Sequence, residues 1–390
     1  MTSRQTDERA GVVAVDVRTD TGAAALPAPD SSPPRRRVLF TPGPVMMHDY
    51  TLHEGGRLID YHRTTDFSSQ MLQCERRLKR LCDAGPDDRI VMLTASGTAA
   101  MEAVVLNLFN PRERMVAVNS GEFGGRFVEI ARLHGHELAE ITLKPGRQIR
   151  PGDLEQCRTA GCVGFLLNHH ETSTGSLLDL DLVSRFCRER GLLLVVDAIG
   201  SFLADPLSMT RQGIDALIFS TQKGLALPPG MSFVALSERA IQRVSAATPR
   251  SYYLDLRRHL TDMQRGQTPF TPAIGIVRQL EVRLDRILEH EPAAIVTATR
   301  RLAENFREQL GGLPLRIFPE CPSNAVTALA PTDDRTPDYY VRILASDYDL
   351  CVCPNGGKLK DQIFRVGHLG DLTFAENARL VRALREIAAR

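Results

Sequence analysis

The stretch "DALIFSTQKGLALPPG", residues 215–230, decides the reading of this chain. Ala216 to Phe219 is an apolar run with the length and composition of a buried strand. Ser220, Thr221, Gln222 and Lys223 follow at once, and then a loop rich in Gly and Pro. An ammonium at the tip of a buried strand is costly unless something pairs with it. A lone lysine usually avoids that cost by turning into water. Lys223 becomes informative only if other strand tips carry matching chemistry.

The totals bound the answer. The chain has 390 residues, 43% of them hydrophobic, enough for a large domain with a smaller satellite. Lys and Arg number 48 and Asp and Glu 47, so no global basic field points to nucleic acid. No run approaches the roughly eighteen apolar residues of a membrane span, and no hydrophobic signal segment is evident at the N-terminus. The eight cysteines, at 74, 82, 157, 162, 187, 321, 351 and 353, lie mostly inside apolar periodic segments. That is the pattern of reduced, buried thiols in a cytoplasmic protein. Cys351 and Cys353 alternate along "DLCVCP" and lack the second pair that zinc would need.

Outward from the opening stretch, strands and helices alternate. "RIVMLT" precedes "SGTAAMEAVVLNLF", "RMVAVN" precedes "GGRFVEIARLHG", and "GCVGFLLN" precedes "LDLVSRFCRERG"; "LLLVVD", "DALIFS" and "MSFVAL" are further strands. Upstream, "FSSQMLQCERRLKRLCDA" has apolar residues at helical spacing, with Ser68 or Ser69 as its cap. Near-continuous apolar strands in such units predict an α/β fold with a mainly parallel sheet covered on both faces. After Thr271 the pattern changes to one long helical stretch, about 272–310, followed by mixed strands and helices that suit a smaller α+β domain. The expected organisation is a disordered extension over 1–37, a large domain over 38–285 and a small C-terminal domain over 286–390. Arg35, Arg36 and Arg37 read as a solvated linker.

In an open parallel sheet, ligands bind beyond the carboxyl ends of the strands. "RIVMLT" is followed by Ser96, Gly97 and Thr98 at a helix start, where free N–H groups and two hydroxyls make a cup for an anion. "RMVAVN" leads to Phe123 among glycines, placed either to stack on a flat ligand or to fill a tight turn. "GFLLN" leads to "HHETSTG", residues 169–175, crowded with hydroxyls; its His, His and Glu fit no usual metal spacing, so no metal is expected. "LLLVV" ends in Asp197, a carboxylate that needs a partner. Together with Lys223 these tips offer an anion cup, an aromatic plate, hydroxyls, an acid and an amine. A phosphorylated pyridine aldehyde uses all of them. Lysine holds pyridoxal phosphate as a Schiff base, and the acid keeps the ring nitrogen protonated.

The ordered chain from about 38 to 390 resembles the class V aminotransferase family, within the fold-type-I enzymes that use pyridoxal 5'-phosphate. The resemblance is carried in order by "FTPGPV", "SGTAAMEAVV", "GEFGGRF", "HHETSTG", "VVDAIGS", "STQKGLALPPG", "TPAI" with "QLEVRL", and "FRVGHLGD". It is nearest the alanine/serine–glyoxylate and 2-aminoethylphosphonate–pyruvate branches. It implies a seven-stranded, mainly parallel sheet in the large domain. It implies that Lys223 forms the imine and Asp197 pairs with the ring nitrogen. Phe123 would stack on the ring, Thr172 would meet its hydroxyl side, and Ser96, Gly97, Thr98 and Gln222 would hold the phosphate. Thr271 would reach the phosphate of a neighbouring subunit, so a homodimer with shared sites is expected. Arg365 would receive the substrate's acidic group under a loop carrying Pro42 and Gly43.

The implied activity is transamination from a small amino donor, such as alanine, serine or 2-aminoethylphosphonate, to a 2-oxo acid such as pyruvate or glyoxylate. The order would be ping-pong. No nucleic acid or membrane partner is expected. The alternative is a lyase or desulfurase on the same fold, or a non-catalytic relative. A desulfurase needs a mobile cysteine, and Cys321 in "PECPSN" is the only loop-like candidate. His368 is open between facing the site and plain packing.

Overall fold

The computed structural model describes residues 37–390, so all of the expected extension except Arg37 lies outside the described residues. Seven strands form the central sheet, in the order Arg89–Leu93, Ser232–Leu236, Ala216–Ser220, Leu193–Asp197, Cys162–Asn168, Arg114–Asn119 and Glu137–Thr142. Ser232–Leu236 is antiparallel to both its neighbours, and the remaining pairs are parallel. Every residue of Leu193–Asp197, Ala216–Ser220 and Ser232–Leu236 is buried. Strands covered on both faces have no polar alternation to show, which is why they read as unbroken apolar runs.

Two cores sandwich the sheet. One sets Met71 and Leu78, Val183 and Phe186, and Val277 and Leu280 against Phe165, Val196 and Phe219. The other sets Ala100, Val104, Phe127 and Val244 against Ala117, Leu166 and Ile218. A second sheet of five strands runs in the order Val38–Phe40, Leu350–Pro354, Phe364–Gly367, Val326–Pro331 and Leu315–Ile317. No helix among the described residues is long and apolar enough to cross a membrane.

Three local expectations change. The helix Thr65–Cys82 is capped by Thr64, whose hydroxyl accepts from the Phe67 N–H, and not by Ser68 or Ser69. Thr64 wins because Asp66 then falls in the first turn, where the helix dipole favours a negative charge. The long stretch after 272 is two helices, Ile274–Leu288 and Ala293–Glu308, with Pro292 standing just before the second. Proline has no N–H for a preceding turn, so the helix must restart there. The strand Val38–Phe40, grouped by sequence with the large domain, pairs in parallel with Leu350–Val352 of the small sheet. Val38 and Phe40 join Leu344, Leu350 and Phe364 in a third core against this second sheet. The chain therefore crosses from the small sheet to the large one through the loop that follows Phe40.

Candidate active site

The carboxyl ends of the parallel strands open on a cavity of ≈ 280 Å³. Larger clefts of ≈ 880 and ≈ 530 Å³ exist, but neither brings Lys223 and Asp197 together. Among the expected residues, Gly43, Ser96, Gly97, Thr98, Phe123, Thr172, Asp197, Gln222 and Lys223 line the small cavity.

Lys223 leaves the central sheet just after Thr221, whose N–H bonds the Met231 carbonyl across the tip of the neighbouring strand. Burial, and next the positive charge of Arg365, bring the lysine amine down from 10.5 to about 8, while Asp197 acts against them. No hydrogen bond or ion pair engages that amine among the described residues. Gly43 presses on the lysine stem: it has φ +145°, and a Cβ there would stand 2.6 Å from Lys223 Cδ. A side chain at 43 would thus be strained and would displace the lysine.

Asp197 closes the strand Leu193–Asp197. Its Oδ1 accepts from the Ile199 N–H at 2.9 Å and its Oδ2 from Asn168 Nδ2 at 2.8 Å. Both donors are neutral, and burial pushes the carboxyl up to about 6. A cationic ring nitrogen would supply the charge this acid lacks.

The end of the cavity expected to take a phosphate is the start of the helix Gly97–Leu108, whose first N–H groups have no carbonyl one turn back to bond. Ser96 makes no side-chain cap there, so its hydroxyl is free. Gly97 lies so close under Ile199 that a Cβ would collide with the Ile199 side chain. The Thr98 hydroxyl accepts from Arg126 Nη1 at 2.9 Å, and the same guanidinium lies 4.6 Å from the centre of the Phe123 ring. Arg126 also lines the cavity and was not singled out from sequence. Its spacing of three from Phe123 on the helix Glu122–Leu133 was the available signal.

Glu171, weighed in the sequence as one member of a metal cluster, has a different task. Its Oε2 accepts from the N–H groups of Phe123 and Gly124 at 3.0 and 2.9 Å, and its Oε1 accepts from the N–H and hydroxyl of Ser173. It caps the helix that carries Phe123 and ties that aromatic to the neighbouring strand end. His169 turns the other way and bonds the Ser201 hydroxyl at 2.9 Å. The His, His and Glu therefore do not converge.

Arg365 stands on the small-sheet strand Phe364–Gly367. It donates to the carbonyls of Thr172 at 3.2 Å and Pro354 at 2.6 Å, and to Cys353 Sγ at 3.1 Å. Its Nε is buried without a partner, and no carboxylate among the described residues pairs with it. A guanidinium held only by neutral acceptors keeps its charge for an anion.

Pro42 is buried behind the loop, and Pro44 takes the lining position beside Gly43. Pro42 is held there because its nitrogen lies against Gly367. Thr271 is exposed and does not line the cavity of its own chain. His368 packs: it bonds Thr327 Oγ1 at 2.7 Å and sits 5.3 Å from the Phe306 ring.

Comparison with known proteins follows this geometry. Residues 45–330 match the sequence pattern of the family described as Aminotransferase class-V. The chain is 31% identical over 340 residues to the soluble hydrogenase 42 kDa subunit of Anabaena cylindrica, spanning 85% of this chain and 88% of that one. It is 31% identical over 369 residues to a 2-aminoethylphosphonate–pyruvate transaminase of Burkholderia mallei, spanning 90% and 96%. A crystal structure of an aspartate aminotransferase of subgroup IV from Thermus thermophilus matches it at TM-score 0.84 and 32% identity, over 90% of this chain and 99% of the other.

Proposed function

The chain belongs to the class V aminotransferase family, and from that premise we propose how its own residues divide the work of a pyridoxal-phosphate-dependent transamination. Bound pyridoxal phosphate supplies an aldehyde that links to amines and a ring that draws electrons from the substrate's α-carbon. Lys223 Nζ is the amine that links to the cofactor. Once free, its amine would hold and move a proton at the donor's α-carbon. Its lowered proton affinity leaves a useful fraction neutral near pH 8. Asp197 holds the ring nitrogen charged, and Asn168 and the Ile199 N–H hold Asp197 in place. The helix start at Ser96 to Thr98, with Gln222 and Arg126 beside it, receives the phosphate. Phe123 covers one ring face, and Thr172 meets the ring's edge.

Arg365 receives the carboxylate or phosphonate of a small amino donor, and then the carboxylate of a 2-oxo acid such as pyruvate or glyoxylate. The two half-reactions alternate in ping-pong order. The observation that carries this reading is the meeting of an unpaired Lys223 with a desolvated Asp197 in one cavity, beside an Arg365 that bonds the wall residue Thr172 and has no acidic partner among the described residues. A lyase or desulfurase reading finds no thiol among the residues lining that cavity, and Cys321 is not among them.

A homodimer with shared sites belongs to the same proposal. Exposed Thr271, together with the exposed apolar side chains Leu58, Ile59, Tyr61 and Tyr252, supports it.

The test is to reduce the purified coloured enzyme with borohydride and map the modified peptide, then to add candidate donors to unreduced enzyme and follow the visible band. Label at Lys223 and bleaching by an acidic primary amine, regained with pyruvate or glyoxylate, support the assignment. Label elsewhere, or persistence of the band with product release, sinks it.

A further inference from the structure

Asn168 ends one strand, His169 stands at a bend, His170–Glu171 forms a short strand of its own and Thr172 begins a turn. His169 and Glu171 point away and are committed to Ser201 and to the helix cap. Asn168, His170 and Thr172 point into the cavity. Asn168 has a task at Asp197, and the Thr172 carbonyl accepts from Arg365. The His170 ring is 1% exposed, packs its Nδ1 side against Gly200, and makes no full hydrogen bond from either nitrogen.

The ring has been given room. A Cβ at Gly200, also in the cavity wall, would collide with His170 Nδ1. Burial first, then the charges of Lys223, His169 and Arg365, bring the imidazole down to about 3 against a raising contact with the Gly200 backbone, so it is neutral and carries one donor and one acceptor. A buried polar group with neither nitrogen fully bonded is unfavourable unless a ligand completes it. An apolar side chain would line this wall without that penalty.

We propose that His170 is a cofactor-contacting residue that hydrogen-bonds the bound pyridine ring along the edge between the end marked by Asp197 and the end marked by Lys223, and so sets how readily the Lys223 linkage takes up a proton. The inference rests on Lys223 being the linking lysine. A hydrogen bond to the ring system changes its electron density, and the linkage nitrogen is conjugated to that ring. His170 also adds a contact that fixes the ring's orientation in the cavity.

The test uses purified holoenzyme and the His170→Leu and His170→Asn variants. Two quantities are read: the pH midpoint of the visible absorption band, and cofactor retention in equilibrium dialysis. In His170→Leu the midpoint should move by about half a pH unit or more, a threefold change in proton affinity, and retention should fall several-fold. Asn keeps a donor near the Nδ1 position, so His170→Asn should recover at least half of each change. A Leu variant whose midpoint stays within about 0.2 units of the parent, with unchanged retention, overturns the proposal, because packing alone would then explain the residue. If the Leu variant does not fold, His170→Ser takes its place with the same thresholds, since serine is too short to reach. A parent enzyme whose band survives Lys223→Ala refutes the linkage reading instead. A band that depends on Lys223 but ignores residue 170 refutes only this inference.

Discussion

The floor and the roof of the cavity are built on different principles. The floor, Asn168, Asp197 and Lys223, hangs from adjacent strands of one parallel sheet. Its members are placed by the same hydrogen-bond ladder that makes the core. The roof, Gly43 in the cavity wall with Arg365 beside it on the Thr172 carbonyl, comes from the small five-stranded sheet and its exit loop. Asn168 and Asp197 in the floor are buried and Asp197 is tied by neutral donors, whereas Arg365 is partly exposed and lacks an acidic partner among the described residues. The contrast assigns fixed chemistry to the rigid sheet and recognition to the part that can vary without disturbing it.

That division can be broken by substitution. Lys223→Ala should have the largest effect, abolishing turnover in a coupled assay while weakened cofactor binding persists. Turnover within tenfold of the parent would end the division at once. Asp197→Asn keeps the shape but removes the charge facing the ring nitrogen. Turnover should fall about a hundredfold or more, on the scale of lost electrostatic preorganisation, with less change in the Michaelis constant. Arg365→Ala should do the reverse, raising the Michaelis constant for acidic substrates about tenfold to a hundredfold, the range of a lost charge-assisted contact. Arg365→Lys should recover only part, since a point charge cannot replace the planar fork. If Arg365→Ala instead lowered turnover alone, the roof would share in the chemistry.

The mildest perturbation is pH. On the proposed mechanism neutral Lys223 is the nucleophile, and burial brings its amine down to about 8 from the 10.5 of an ordinary lysine. Capture of added pyridoxal phosphate by cofactor-free enzyme should therefore speed up as pH rises and level off above about 8. A plateau delayed to the ordinary lysine range would show that the amine is not desolvated as the geometry implies.

The same contrast explains what could be read from sequence. The floor was legible because a parallel sheet writes its ligand residues directly after apolar runs, so Asp197 and Lys223 stood out as charges at the wrong end of a strand. The roof was visible only through resemblance, because nothing local to Val38–Phe40 says that its partner is Leu350–Val352, hundreds of residues away. The cap made by Glu171 was not foreseen for a related reason. That cap on Phe123 and Gly124 joins two strand tips that are distant in sequence, and no local pattern encodes such a bond. Arg126 and His170 were within reach of helix and strand periodicity, but each looked ordinary until the cavity gave it neighbours.

The loop from Phe40 to Val45 starts on the small sheet, passes Gly367 with no space for a side chain between them, and rests its Gly43 on the stem of Lys223. Gly367 is two residues from Arg365 on the same strand. An anion seated at the guanidinium and the freedom of the lysine are thereby joined by one short strap of backbone. A side chain added at either glycine would push on this strap, so a change made at position 367 should be felt at the stem of Lys223.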